Sequence, residues 1–351
     1  MNNESRASAR LFSWNNAACD PLKRTVRIAV MLETPPALFL SRHPGPATVL
    51  LHGMVMAPCF WETYAPPVCR RGTAVAYPLP GHHPWSLDEA AATLTIDAVL
   101  EAYATAIRRD FRGRPVTLIG HSTGAFMALG LAARYPDLVE GLVLMGALSC
   151  GGLDGCQPFA MRLLRLPRFG QWTFERLLSH WISTPARFID GARSCVADPD
   201  SPLRQDRDRQ AIESVRLALL KSRPAEIATL VRLLSITSLS EELSGITCPA
   251  LNIVGGRDRV IRPRHQFNIQ ASMPGMATLL LPEAGHLPMV ENPPAVAEAV
   301  RSFMNLRFLH RLPASNRAAR PASSGPVTAN ANEKPRDVSA PGFDGFAASA
   351  G

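Results

Sequence analysis

The chain has no apolar run of the roughly 18 to 20 residues a membrane span requires. Its first twenty residues, MNNESRASARLFSWNNAACD, lack the apolar centre of a secretory signal. A soluble cytoplasmic protein is therefore expected. The seven cysteines (Cys19, Cys59, Cys69, Cys150, Cys156, Cys195, Cys248) form no CxxC pair, and an odd number closes no disulfide framework. They read as reduced thiols. No His/Cys cluster has metal-ligand spacing and neither GxGxxG nor GxxxxGK[ST] occurs, so no metal and no cofactor are expected. The 37 Lys and Arg exceed the 29 Asp and Glu by enough to give +8, but they are scattered, without a dense run or an aromatic ladder between them. Nucleic acid is accordingly not expected as a partner. What the chain does have is apolar mass: at 46% hydrophobic and 19% charged, its 351 residues can bury a full core.

Order is expected to begin after a loose leader, residues 1–21. Lys23 to Glu33, Ala37 to Arg42 and Ala47 to Leu51 are short apolar runs separated by Pro and Gly, which reads as two edge strands and a buried one. Further strands are predicted at Thr73 to Tyr77, Pro115 to Ile119 and Leu142 to Met145, with helical spacing over Ser86 to Arg109 and Thr123 to Arg134. This alternation predicts an α/β fold, a mainly parallel sheet covered on both faces by helices. Between 149 and 245 the spacing is helical throughout. That segment is expected to be an inserted helical cap, with Phe174, Leu177, Leu178, Trp181 and Ile182 on one face and Ile227, Leu230, Val231 and Leu234 on another. The sheet rhythm resumes at Ala250 to Val254 and Thr278 to Leu281, and a last helix follows from Pro294 to about Leu309. Residues 22–148 and 246–310 thus make the core domain. Residues 311–351, rich in Ala, Pro, Ser, Asn and Gly, are expected to be a disordered tail.

Gly120-His121-Ser122-Thr123-Gly124 falls between a predicted strand and a predicted helix. A G-x-S-x-G sequence in that context makes a sharp turn that exposes the serine hydroxyl, and it points to Ser122 as a nucleophile. A hydroxyl needs a base, and the base needs an orienting carboxylate. His286 follows the last predicted strand (TLLLPEAGH) and Asp258 the one before it (ALNIVGGRD), so all three lie past the carboxyl ends of strands, where open α/β sheets gather reactive groups. Asp154, after the preceding strand, is the substitute acid. Negative charge developing on the attacked oxygen calls for donors. The N–H of Met54, in the LHGM turn, and that of Thr123, just after the serine, are the expected pair. His52 is expected to brace its loop and His121 to pack beneath the turn.

The HG turn at His52-Gly53, the GHSTG elbow, the GGRD turn and the AGH turn, in that order, make the chain resemble the α/β-hydrolase superfamily from about Val26 to Leu309. YPLPGHHPWS resembles the family's D-x-P-G-x-G-x-S loop, with Pro78 in place of Asp and His83 in place of the second Gly. The resemblance implies an eight-stranded, mostly parallel sheet. It also implies a serine-nucleophile branch, since the elbow does not carry Asp. The expected activity is hydrolysis of a carboxylic ester, lactone or thioester through an acyl-enzyme. C–C hydrolysis, acyl transfer or cofactor-free oxygenation on the same site are the alternatives, and a non-catalytic binding module is the remote one. The partner is expected to be a small acyl substrate, apolar or aromatic, because Phe159, Phe169, Trp172, Phe174, Trp181 and Phe188 concentrate in the insertion and Met54 and Met56 lie near the oxyanion turn. Packing of a cap on a sheet uses the same residues. Arg162, Arg165 and Arg168 could meet an anionic carrier, or form a solvated helix face.

Overall fold

Residues 32–151, 163–164, 166, 169–199 and 205–311 are described by the structure, a computed structural model. Strands β1 (Leu38–Arg42), β2 (Ala47–Leu51), β3 (Thr73–Tyr77), β4 (Val116–His121), β5 (Val139–Met145), β6 (Ala250–Gly255) and β7 (Ala277–Leu281) form one sheet in the order β1-β3-β2-β4-β5-β6-β7. Only β1 runs antiparallel to its neighbour. Among the described residues the sheet has seven strands, where the resemblance implies eight. The expected first edge strand, Lys23 to Glu33, lies outside them except for Leu32 and Glu33, which are not in a strand.

Every residue of β2 (ATVLL), β4 (VTLIGH) and β6 (ALNIVG) is buried, as strands covered on both faces must be. One cover is α3 (Thr123–Arg134), apolar nearly all round, whose residues from Thr123 through Ala132 are buried behind the central strands. The helical spacing of Ser86 to Arg109 is realised only in part. Helix α2 (Ile96–Phe111) starts where the Thr95 side chain accepts the Ala98 N–H. Before it, Asp88–Thr93 forms a 3-10 helix at whose start the Glu226 carboxylate takes the Leu87 N–H at 2.8 Å and the Asp88 N–H at 3.3 Å, and the extended Leu94 and Thr95 separate the two helices.

Between β5 and β6 come α4 (Gly170–Ile182), α5 (Pro185–Arg193), α6 (Asp206–Leu219) and α7 (Pro224–Ser235), with no strand among the described residues there. Phe174, Leu178 and Ile182 of α4, and Ile227, Leu230, Val231 and Leu234 of α7, are buried. Leu177 is the exception to the expected face and stays exposed, one step around the helix. Polar bonds tie the insertion to the sheet side. Glu226 reaches the loop after β3, and the Tyr64 hydroxyl of α1 (Phe60–Tyr64) donates to Asp208 Oδ1 at 2.8 Å. After β6, α8 (Pro263–Ser272) precedes β7, and α9 (Pro288–Glu291) and α10 (Pro293–Arg311) follow it. No helix of the described residues is long and apolar enough to cross a membrane. The leader and the tail beyond 311 lie outside the described residues.

Candidate active site

The site lies within the compact unit that ends at Asn305. At its centre β4 ends at His121 and α3 starts at Thr123, which leaves Ser122 alone to turn the chain, at φ 52 and ψ −115. A side-chain-bearing residue held there costs on the order of 1 to 3 kcal/mol, and it persists because the surroundings leave no choice. The Ser122 N–H donates to Met145 O at 2.9 Å, and its carbonyl accepts from Ala125 N at 2.9 Å. The flanking glycines are sterically required. A Cβ on Gly120 would stand 2.5 Å from Ala125 Cα, and one on Gly124 would stand 2.2 Å from Leu51 O. The Thr123 N–H opens α3, where first-turn amides have no intrahelical acceptor.

His286 and Asp258 meet. The His286 Nδ1–H donates to Asp258 Oδ2 at 2.8 Å, with the carboxylate side chain fully buried and the imidazole nearly so. Asp258 is held at every oxygen: Oδ1 accepts Val260 N and Ile261 N at 2.8 Å each, and Oδ2 also accepts Gln266 Nε2 at 3.0 Å. These bonds satisfy both carboxylate oxygens where water cannot reach them. They also fix the histidine tautomer, leaving Nε2 free. Gly146, at φ 56 after β5, gives the imidazole its space, since a Cβ there would come within 2.8 Å of the ring. Ser122 and His286 line one cavity, without a hydrogen bond between them. Such pairs commonly tighten only when substrate arrives.

Met54 sits in a turn braced on both sides by histidines. The His52 Nδ1–H donates to Gly53 O at 2.8 Å while Nε2 accepts Leu79 N at 3.1 Å. His82 Nε2 accepts Val55 N at 3.2 Å and its Nδ1–H donates to Pro80 O at 3.1 Å. Each ring must stay neutral to accept. Burial drives His52 down to about 3 and His82 down to about 4, with the neighbouring His82 adding to the fall at His52. Burial also pushes His121 well below the usual range; its Nε2–H donates to His286 O at 2.8 Å beneath the turn. Because the folded values are depressed, the stability these rings supply is complete above 6.5, the unfolded value, and is lost as pH falls toward 4. Melting temperature should therefore drop through that window by the equivalent of a few kcal/mol. A curve flat from pH 7 to 4 would mean that the rings gain protons without breaking their bonds.

The cavity, about 190 Å³, is walled by Met54, Val55 and Met56 from the braced turn and by Phe60 and Tyr64 of α1. Trp181, Phe188, Val215 and Val231 come from the insertion, and Val260, Ile261, Leu287 and Val290 from the turns that carry Asp258 and His286. Met54, Thr123, Ser122 and His286 all face it. Among the described residues no Lys, Arg, Asp or Glu does. Of the aromatics expected there, Trp181 and Phe188 line it, Phe174 is buried in packing, and Phe169 and Trp172 are exposed. Asp154, Phe159, Arg162, Arg165 and Arg168 lie outside the described residues. Among the described residues no cluster of His, Cys, Asp and Glu is placed to hold a metal.

Sequence reasoning did not reach Gln266, Gly146 or Glu291. Gly146 had a signal, a glycine directly after the strand LVLM. Gln266 and Glu291 had none. Glu291 accepts Gly285 N at 2.8 Å and Ala197 N at 2.7 Å; burial pushes its carboxyl up, against the pull of the Ala197, Gly285, Leu287 and Asp198 amides.

A seven-stranded, mostly parallel sheet with a strand-to-helix serine at its carboxyl edge defines a hydrolase-type α/β fold, and residues 48–299 match the model of the alpha/beta hydrolase family. The chain belongs to that family of enzymes. Among its curated relatives, the pimeloyl-(acyl-carrier protein) methyl ester esterase of Nitrosomonas europaea is 26% identical over 253 residues, 71% of this chain and 92% of that protein. Its counterpart in Stenotrophomonas maltophilia is 27% identical over 263 residues, 74% of this chain and 93% of its own length. A solved thermophilic esterase from Thermogutta terrifontis shares the fold with a TM-score of 0.61 at 20% identity, covering 79% of this chain and 98% of that one.

Proposed function

We propose that the protein is a serine hydrolase that cleaves a carboxylic ester, lactone or thioester through an acyl-enzyme. Ser122 attacks the acyl carbon while His286 Nε2 takes its proton, and the same nitrogen then returns that proton to the leaving oxygen or sulfur. Asp258 holds the tautomer and stabilises the imidazolium. The Met54 and Thr123 N–H groups receive the oxyanion. Water, deprotonated by His286, then releases the acid and frees the serine. The observation that carries this reading is the strained Ser122 in one apolar cavity with His286, whose Nδ1 is bound by a buried carboxylate. That the two curated relatives named above are methyl ester esterases supports an ester among the acyl classes.

Residues 149–245 act as a cap in this reading, because Trp181, Phe188, Val215 and Val231 close the cavity over the serine. The cavity sets the acyl group. At about 190 Å³ it is somewhat larger than the roughly 150 Å³ apolar cavity that takes benzene, so it suits a phenylacetyl or medium-length straight acyl group. A free carboxylate would have to leave water with no Lys or Arg among the described lining residues to meet it. The test is a panel of esters, thioesters and lactones. Hexanoyl and phenylacetyl esters should outrun the hemisuccinate of the same alcohol by about 100-fold or more in kcat/KM, the equivalent of about 3 kcal/mol. Preference for the hemisuccinate would overturn the apolar assignment, and inactivity across all three classes would overturn the hydrolase reading.

A further inference from the structure

We infer that Glu291 is a positioning residue for His286, fastening the loop that carries the histidine to the segment that leaves the insertion's helix α5. The inference rests on the reading of His286 as the base.

His286 is held at three points. Its ring bonds Asp258, its carbonyl accepts from His121, and its own N–H donates to Cys195 O at 2.8 Å. The third point is unlike the others, because Cys195 belongs to the insertion and lies two residues past α5. One hydrogen bond between two irregular segments would hold neither of them firmly. Glu291 closes the arrangement from the far side: Oε1 takes the N–H of Gly285, the residue before His286, and Oε2 takes the N–H of Ala197, two residues after Cys195. A single carboxylate thus clamps both strands of the contact that contains the His286 N–H.

The two segments are also in direct backbone contact. A Cβ on Gly285 would stand 2.6 Å from Ala197 N and 2.9 Å from Val196 C. Glu291 stands at the end of a four-residue helix, so it is not an N-terminal cap, and among the described residues no Lys or Arg pairs with it. A half-buried carboxylate without a cation is stabilised here by backbone amides of the two segments it joins. It does not line the cavity, although its neighbours Leu287 and Val290 do. Loss of the carboxylate therefore loosens the histidine loop without removing a pocket wall, although Cys195 on the tied segment also lines the cavity.

Displacing a catalytic group by about 1 Å costs on the order of 100-fold. Glu291→Ala should lower kcat on p-nitrophenyl hexanoate, and the rate at which a fluorophosphonate labels Ser122, by about 10- to 100-fold, with KM within about twofold of the parent. Glu291→Gln, which keeps one acceptor, should fall between Ala and the parent and serves where the alanine variant folds poorly. Glu226→Gln is the control for a merely structural role: it weakens another tie of the insertion, to Leu87 and Asp88, far along the chain from His286. At a comparable loss of melting temperature it should leave kcat within about twofold. The inference fails if Glu291→Ala keeps the parent kcat and labelling rate, or loses no more than Glu226→Gln does. His286→Ala separates that failure from failure of the underlying reading. A dead His286→Ala beside a fully active Glu291→Ala overturns the positioning role alone, whereas an active His286→Ala overturns both.

Discussion

Ser122→Ala is expected to lower turnover by roughly 10⁶ while leaving the fold intact, the loss seen when a serine nucleophile that acts as a unit with its base is removed. The alanine keeps the Cβ, so the backbone strain at φ 52 and the contacts of Gly120 and Gly124 with their surroundings are unchanged. Only the reacting oxygen is gone. A fluorophosphonate probe should label Ser122 in the parent and fail to do so in both Ser122→Ala and His286→Ala. The same pair of variants separates the chemistries that one site could host. An enzyme that abstracts a substrate proton and oxygenates without a cofactor would keep substantial activity without the serine and lose it without the histidine, whereas a binding module would hold its ligand and turn over nothing. Substantial ester hydrolysis by Ser122→Ala would remove the acyl-enzyme from the mechanism.

Much of the sheet was legible because parallel strands buried on both faces are short, mostly apolar runs. ATVLL, VTLIGH and ALNIVG stand out from any neighbour that has an exposed face. The family was legible in the order of four turns, each with its own steric demand. Local periodicity read Ser86 to Thr95 into one continuous helix, whereas Asp88–Thr93 winds as a 3-10 helix, its entry amides Leu87 and Asp88 taken by Glu226 more than a hundred positions away, and the chain extends at Leu94 and Thr95 before α2 begins. It misplaced Leu177 because spacing gives the centre of a face and not its edge. Aromatic composition pointed to the insertion as a source of pocket walls, yet could not separate Trp181 and Phe188, which line the cavity, from Phe169 and Trp172, which are exposed. Gln266 and Glu291 were invisible for a different reason. Gln266 acts through the Asp258 carboxylate and Glu291 through the backbone amides of Gly285 and Ala197, and no spacing rule encodes such contacts.

Asp258→Asn is expected to preserve the fold and lower kcat by roughly 10⁴. The four bonds to the carboxylate explain why. Asparagine can keep its oxygen on the Val260 and Ile261 amides, which leaves an NH₂ group where Oδ2 now accepts from both Gln266 Nε2 and His286 Nδ1. Two donors would then face a third. Gln266 has only a costly way out: rotating its amide presents its unpartnered Oε1 to the new NH₂ but breaks the bond from its Nε2 to Ile261 O at 2.8 Å. His286 has none except the other tautomer, with Nδ1 accepting and the proton on Nε2. In that form the ring cannot take a proton from Ser122, and the imidazolium has lost its counter-charge. Substrate binding should be little changed, because Asp258 does not line the apolar cavity, so the loss belongs in kcat with KM within about a few-fold of the parent. Steady-state kinetics and fluorophosphonate labelling of Asp258→Asn, with Asp154→Asn measured beside it, decide the assignment. If Asp258→Asn worked nearly as well as the parent while Asp154→Asn were inactive, the orienting acid would be Asp154, and the buried contact of Asp258 with His286 would be a packing feature of the histidine turn.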